Sequence, residues 1–304
     1  MTTRLYNKLN EYYKEKFGER VLKICVDGGF TCPNRDGKVG TGGCIFCSER
    51  GSGEHIKFRD VGKQITEHLQ SYRGQRANKF IVYFQNYSNT YAPIQNLKKI
   101  YDSALISDKI IGFSVATRPD CINQEIVDLL KSYTDKYYVS VELGLQTVDE
   151  NIAKDVNLCY TVSDFNNAIK LLSNTDIEVV CHVMLGLPGE TEDSITKTIN
   201  AINNSNVKGI KIHNTYVVKN TELEKRYLSG NYKTLEVEEY LDKLAYVISK
   251  LRSNIIIHRI SGDADKSILV APQWNTHKKW VLNGLDKKLK ENNLWQGKFY
   301  QLKE

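Results

Sequence analysis

Between residues 21 and 214 the chain repeats one pattern six times, a short apolar run followed by a helical stretch or a loop leading to one. The strand candidates are VLKICV (21–26), KFIVYFQ (79–85), KIIGFSVAT (109–117), YYVSVELGLQ (137–146), IEVVCHVMLG (177–186) and VKGIKIHN (207–214). Runs this apolar, with little polar alternation, predict strands buried on both faces of a parallel sheet. Helical patterns near 61–72, 94–106, 123–133, 161–173 and 191–204 supply the crossovers that parallel strands require. Six units fall short of the eight that close a full barrel, so the predicted fold is α/β, an open (β/α)6 partial TIM barrel with a C-terminal extension. Residues 3–17 predict a helix stopped by Gly18, which makes residues 1–20 an N-terminal segment before a barrel at 21–215. From 216 to 304 the pattern changes to a polar loop, a helix at 235–252, a strand IIIHRI (255–260) and a basic tail, an extension expected to cover or complete the open side.

In such a barrel the C-terminal strand ends carry the chemistry. The first strand runs into GGFTCPNRDGKVGTGGCIFC (28–47), a glycine-rich loop bearing Cys32, Cys44 and Cys47. Three thiolates on one short loop can ligate three irons of a [4Fe–4S] cube and leave the fourth iron open. Phe46 offers an apolar cover that limits solvent access. With Cys25 just upstream, the four cysteines could instead hold a structural zinc ion. The spacing C-x6-C-x11-C-x2-C lacks paired C-x2-C knuckles, and Cys25 lies in a strand-like run where a thiol is usually a small buried hydrophobe.

Composition sets outer bounds. With 304 residues, 41% of them hydrophobic, the chain can bury one large core. No apolar stretch nears the ~20 residues of a membrane span, and the N-terminus is no signal peptide. Seven scattered cysteines, an odd number, predict a reducing cytoplasm and not a disulfide framework. The net charge of +6 is uneven: residues 276–304 hold seven lysines against three acids, with Trp280, Trp295, Phe299 and Tyr300 among them. Such a tail suits nucleic acid, with Lys278, Lys279 and Trp280 as candidate substrate contacts, and equally suits an amphipathic terminal helix. Lys211, Lys219, Lys225 and Arg226 could continue a positive rim.

The later strand ends read FQNYSNTYAP, ATRPDC, ELGLQT, MLGLPGET and HNTYVVKNTEL. Gly186 and Gly189 permit close backbone approach, Pro188 stiffens the turn, and Thr191 can cap the next helix. Glu142 and Gln146 place an acceptor and an amide where a ribose could be held; the plainer alternative is a carboxylate paired with Lys or Arg. His182 reads as a satisfied core histidine and Met184 as packing.

The cysteine loop with FQNYSNTYAP, TRPDC, VELGLQT and MLGLPGET resembles the radical S-adenosylmethionine superfamily, in its Elongator-like branch and YhcC/YtqA-type group. A downstream SGD (261–263) and Ala271-Pro272-x-Trp274 belong to the same likeness, which runs from about residue 3 to about residue 285. With five motifs in order, the zinc alternative recedes. The resemblance implies Cys32, Cys44 and Cys47 as ligands of a [4Fe–4S] cluster whose open iron takes S-adenosylmethionine. Reductive cleavage then gives a 5′-deoxyadenosyl radical that abstracts hydrogen from substrate. It further implies cofactor contacts from Phe46, Glu142, Gln146 and the Met184–Pro188 segment with Gly186. Gln85 stands where the superfamily has Gly-Gly-Glu, Arg118 is suited to the methionine carboxylate, and Asp120 to local structure or a helix cap. Elongator-like relatives act on the wobble uridine of tRNA, so the implied substrate is the C5 side chain of that base. The implied partners are tRNA and an electron donor such as flavodoxin or ferredoxin, with no membrane. A radical enzyme acting on a small metabolite and a non-catalytic zinc-stapled RNA-binding protein are the alternatives. The dispersed Cys25, Cys121, Cys159 and Cys181 leave no ligand set for a second cluster.

Overall fold

The computed structural model describes residues 4–51, 53, 54, 56 and 60–301. Seven parallel strands form one curled sheet: β1 (Val21–Val26), β2 (Lys79–Phe84), β3 (Ile110–Thr117), β4 (Tyr138–Gln146), β5 (Glu178–Leu185), β6 (Gly209–Asn214) and β8 (Ile256–Arg259), each next to its neighbour in that order. The six expected strands are all present. The seventh, β8, comes from the segment read as an extension and pairs with β6, so the half-barrel is one strand wider than its repeat implies. The strand itself is the expected IIIHRI (255–260); what a periodic reading does not give is its place beside β6, which ends more than forty positions earlier.

Helices α2 (Val61–Gln70), α3 (Ile94–Asp102), α4 (Gln124–Lys131), α6 (Val162–Leu172) and α7 (Glu192–Asn203) fill the crossovers, and a short α5 (Glu150–Asp155) is added after β4. Their starts are chemically specified. Asp60, Asn123 and Asp149 each accept a hydrogen bond from the first turn, and Thr161 and Thr191 close capping boxes with Asp164 and Ser194. Asn123 therefore caps α4, and the expectation that Asp120 does so is corrected. After β6 come β7 (Val217–Val218), α8 (Glu222–Leu228), α9 (Val237–Lys250), β9 (Leu269–Ala271), antiparallel to β7, and α10 (Lys278–Glu291), which packs on α9 through Val281, Leu285 and Leu289.

The N-terminal helix α1 spans Leu9–Phe17 and ends at Gly18 (φ 78°), starting later than expected. The edge of β8 takes the preceding residues. Ile257 donates its amide to the Asn7 carbonyl at 2.8 Å, and Lys8 bridges Ile257 in parallel, which covers the sheet edge. α1 packs against both β1 and β8. Its Tyr13 is buried beside Val21, Ile81 and Tyr138, so the helix stops the narrow end of the half-barrel opposite the strand C-termini.

One glycine in the sheet has no substitute. A Cβ on Gly112 would lie 1.9 Å from the Tyr138 carbonyl oxygen, a backbone atom that cannot rotate away. Gly112→Ala is expected to cost about 3 kcal/mol, the upper end of overpacking penalties, measured as a lower urea midpoint at unchanged slope.

Candidate active site

The C-terminal strand ends surround a cavity of about 680 Å³. Cys32, Cys44, Cys47, Phe46, Gln85, Arg118, Glu142, Gln146, Met184 and Lys278 all line it, so the fold gathers residues spread over some 250 positions. Gly186, Pro188, Lys279 and Trp280 are not among its lining residues.

The cysteine loop is held from three sides. At its start Asp27 accepts from Gly29 N (2.9 Å), Asn86 Nδ2 (3.2 Å) and Arg50 Nη2 (3.2 Å), while Gln64 on α2 clamps the Asp27 backbone. In its middle, buried Asn34 donates to the Asn157 carbonyl at 2.6 Å and turns the same amide toward Cys44 Sγ at 3.8 Å. Asn157 returns a bond to the Gly43 carbonyl at 2.8 Å. At its end Arg35 donates to the Cys47 carbonyl at 2.9 Å. The segment 156–160 after α5 is thus one wall of the loop, and nothing in its sequence, VNLCY, announces that role.

None of the seven cysteines is in a disulfide. Burial, with Cys47 next, pushes the Cys44 thiol up to about 12. Burial also raises Cys47, with Arg35 opposing it. Arg118 and Arg35 are the cations beside these thiols and favour their deprotonated forms. Cys25, on β1, lines the same cavity and is exposed, which corrects its expected place as a small buried hydrophobe. Desolvation pushes its thiol up, with Lys211, Arg259 and Lys23 opposing. Among the described residues, no three His, Cys, Asp or Glu side chains converge on a point one metal ion could occupy.

Arg118 does not offer a free fork. It donates to both Asp120 carboxylate oxygens (2.9 and 2.8 Å), to the Leu158 carbonyl (2.9 Å) and to the Cys159 carbonyl (3.0 Å), and lies over the Tyr160 ring. The expected grip on a methionine carboxylate is therefore corrected, since four of its five N–H groups already tie the 158–160 wall to β3.

Glu142 is likewise committed. Its carboxylate, with the residue 1% exposed, accepts from Lys23 Nζ at 2.6 Å, from Lys211 Nζ, and from His182 Nε2 at 2.7 Å. The ribose or methionine contact assigned to it is corrected in favour of the plainer alternative, pairing with lysine. Burial works against its charge, but Lys211 and Lys23 hold the carboxyl well below its ordinary range. One carboxylate cannot serve two lysines equally. Burial lowers Lys211 to about 7 in spite of Glu142, with Lys23 and Arg259 adding repulsion. Burial, Lys211 and Arg259 lower His182 to about 4, so its ring is neutral against Glu142. Lys211 is consequently part of the lumen and not of a surface rim. Lys219, Lys225 and Arg226 are bonded to Ser267, Glu222 and Asp155 and do not line the cavity.

The turn after β5 serves the fold. Gly186 donates its amide to Glu190 (3.0 Å), accepts from the Tyr232 hydroxyl at 2.7 Å, and would place a Cβ 2.9 Å from Leu235. Its φ of 87° and lack of Cβ thus accommodate Leu235, not a ligand. Thr191 caps α7 as expected. Lys278 reaches the cavity mouth paired with Asp263 at 2.5 Å, whereas Trp280, 57% exposed, stacks on His277.

Sequence reasoning passed over two residues at the end of β6. Asn214 is buried, its Oδ1 accepting from Gly262 N (2.9 Å) and Asn275 Nδ2 (3.0 Å), which ties the SGD and APxW motifs to the strand. Its Nδ2 and the Nε2 of His213 are buried without a partner among the described residues, and both side chains line the cavity. Such orphans in a roomy cavity call for a polar ligand. Tyr87 (φ 59°) and Gln146 (φ 63°) line it in the left-handed region, a strain that clusters at ligand sites.

Residues 35–202 match the family model described as Radical SAM superfamily, and residues 207–291 match the Radical_SAM C-terminal domain. The first match begins three positions beyond Cys32. The uncharacterized protein YtqA of Bacillus subtilis is 36% identical over 309 residues, covering 99% of this chain and 94% of that protein. A tRNA uridine(34) acetyltransferase of Methanocaldococcus jannaschii is 29% identical over 181 residues, 58% of this chain and 32% of that protein. In fold, the chain is similar to the archaeal Elp3 of Methanocaldococcus infernus, with a TM-score of 0.64 at 18% identity over 91% of this chain and 64% of the other.

Proposed function

The chain belongs to the radical SAM superfamily, whose members bind a [4Fe–4S] cluster and S-adenosylmethionine, and on that premise we propose that it remodels the C5 side chain of the tRNA wobble uridine. The observation that carries the tRNA step is the likeness to the tRNA uridine(34) acetyltransferase. Only 32% of that relative is covered, so its acetyl transfer is not carried across.

Cys32, Cys44 and Cys47 would hold the cluster. The donor set fits: three thiols on one loop, cross-influencing one another's charge, with Cys25 placed elsewhere. When bound, the cluster and S-adenosylmethionine supply a 5′-deoxyadenosyl radical for hydrogen abstraction. The chain's own work is to admit, hold and shield. Buried thiols must release protons on ligation, and Arg35 and Arg118 offset the negative charge that results. Asn34 directs an N–H at Cys44, and Phe46 keeps an apolar wall beside the loop. His213 Nε2 and Asn214 Nδ2 offer hydrogen bonds to the polar edge of the nucleoside, and Gln85 and Gln146 add amides. α1 and the Glu142 ion cluster stop the narrow end, which keeps bulk water and stray C–H bonds from a reactive alkyl radical. A flavodoxin- or ferredoxin-type donor would deliver the electron.

The test is the modified-nucleoside profile of a deletion strain. The wobble uridine is expected to accumulate an unprocessed C5 side chain, restored by the wild-type gene and not by a Cys44→Ala copy; an unchanged profile would retire the tRNA assignment.

A further inference from the structure

Arg259, at the end of β8, is an uncommitted cation in the lumen. Its partner across the parallel ladder is Lys211 on β6, so the two side chains leave the sheet on one face, and both line the cavity. Among the described residues the Arg259 side chain makes no ion pair or hydrogen bond, its backbone alone being engaged in the ladder. Lys23, Lys211 and Arg259 thus share one carboxylate, that of Glu142, which Lys23, Lys211 and His182 already occupy. The other acid lining the cavity, Asp263, is paired with Lys278 at the mouth. The groups around them bring no further negative charge: His182 and His213 are neutral, and Cys25 and Tyr83 keep their protons. A buried surplus of positive charge is costly and is relieved by an anion. The planar guanidinium fork, with an ammonium beside it, matches a carboxylate.

We propose that Arg259 and Lys211 form a carboxylate subsite at the cavity floor, and that the carboxylate belongs to the substrate and not to the methionyl part of S-adenosylmethionine. The location favours the substrate. Lys211 lies three residues inside the C-terminal end of β6 and pairs with Arg259, whereas the thiols lie on the loop beyond the end of β1, where Arg35 and Arg118 are the cations beside them. Tyr216, which feels both Arg259 and Cys47, lies between. A carboxylate held there anchors a substrate side chain by its far end and sets which carbon faces the cofactor. That the substrate is a tRNA rests on the function proposed above; the subsite itself does not.

The experiment compares anaerobically reconstituted wild type with Arg259→Gln and Arg259→Lys. Because the Arg259 side chain has no partner among the described residues, its loss orphans no acceptor there, and both variants are expected to fold with unchanged iron content. Acetate serves as the probe of the bare subsite: at ionic strength matched with chloride it should raise the melting temperature of the wild type and not of Arg259→Gln. The dissociation constant for S-adenosylmethionine should stay within about twofold, while tRNA-stimulated 5′-deoxyadenosine release falls about 30-fold or more in Arg259→Gln and partly recovers in Arg259→Lys. No acetate effect on the wild type overturns the subsite. A loss of S-adenosylmethionine affinity of about tenfold or more moves the carboxylate to the cofactor and overturns the substrate assignment. Wild type that tRNA fails to stimulate, yet acetate stabilises, refutes the tRNA reading and leaves the subsite standing.

Discussion

Replacing any one of Cys32, Cys44 or Cys47 by alanine is expected to strip iron from the anaerobically reconstituted protein and to end cleavage of S-adenosylmethionine. Loss of a residue that merely orients a ligand costs about 10–100-fold, so loss of a ligand should leave less than about a hundredth of wild-type 5′-deoxyadenosine release. Cys25→Ser is the control that gives the result its meaning. Cys25 lies on β1, where Lys211, Arg259 and Lys23 act on its thiol, and not on the cysteine loop, so this variant should keep full iron content and the brown absorbance of the wild type. A Cys25→Ser protein as poor in iron as Cys44→Ala would return Cys25 to the ligand set. Zinc in place of iron and sulfide in the native protein would sink the cluster assignment itself. Because Cys44 packs against a buried apolar group with Ile45, Val156 and Leu158 at its core, melting temperatures should accompany each iron assay.

Glu142→Gln is expected to be the most destabilising polar substitution in the chain. It removes the carboxylate that Lys23, Lys211 and His182 share and leaves two buried lysines facing Arg259. Breaking a buried ion cluster by deleting one partner costs about 3–5 kcal/mol, whatever the intact cluster contributes relative to apolar packing. The loss should depend on pH in a definite direction. Glu142 is depressed below its ordinary 4.5, so the stability it lends is present above that value and disappears as the pH falls through its folded value. Burial lowers Lys211 from 10.5 to about 7 with Glu142 opposing, so without Glu142 its ammonium is harder still to keep. The folded variant sheds below pH 7 a proton that the unfolded chain keeps, and the penalty shrinks. The difference in urea midpoint between wild type and variant should therefore be widest just above about pH 4.5, narrowing as the pH rises toward 7 and again as it falls below 4.5. A difference that is flat with pH would mean that Lys211 keeps its charge and that the lumen is better hydrated than its burial implies.

Much of the fold is legible because enclosed parallel strands are largely apolar: β2 and β3 are buried almost throughout, while β1, β4, β5 and β6, although they turn Cys25, Glu142, His182, Lys211 and His213 to the cavity, keep apolar runs. β8 does not. Four residues ending in His258 and Arg259 look like any amphipathic edge until β6 pairs with them. α1 starts later than its pattern predicts for a related reason, since Asn7 and Lys8 suit a helix and are drawn off by the exposed edge of that same strand.

The site divides along another line. Cysteines at C-x11-C-x2-C, and motifs at successive strand ends, announce their chemistry through residue type and spacing, and these the sequence determined by itself: a thiol trio, a ring of polar strand ends, a parallel barrel to hold them. What each charged side chain does with its charge was decided only by tertiary structure. Arg118 and Glu142 have the residue types of cofactor contacts and are tied up by Asp120 and carbonyl groups or by lysines, whereas Arg259, Asn214 and His213, which no motif marked, are left with groups to offer. The physical reason is that charge pairing and hydrogen-bond satisfaction are pairwise properties of strands far apart in the chain, settled when Lys23, Glu142, Lys211 and Arg259 come to share one enclosed floor.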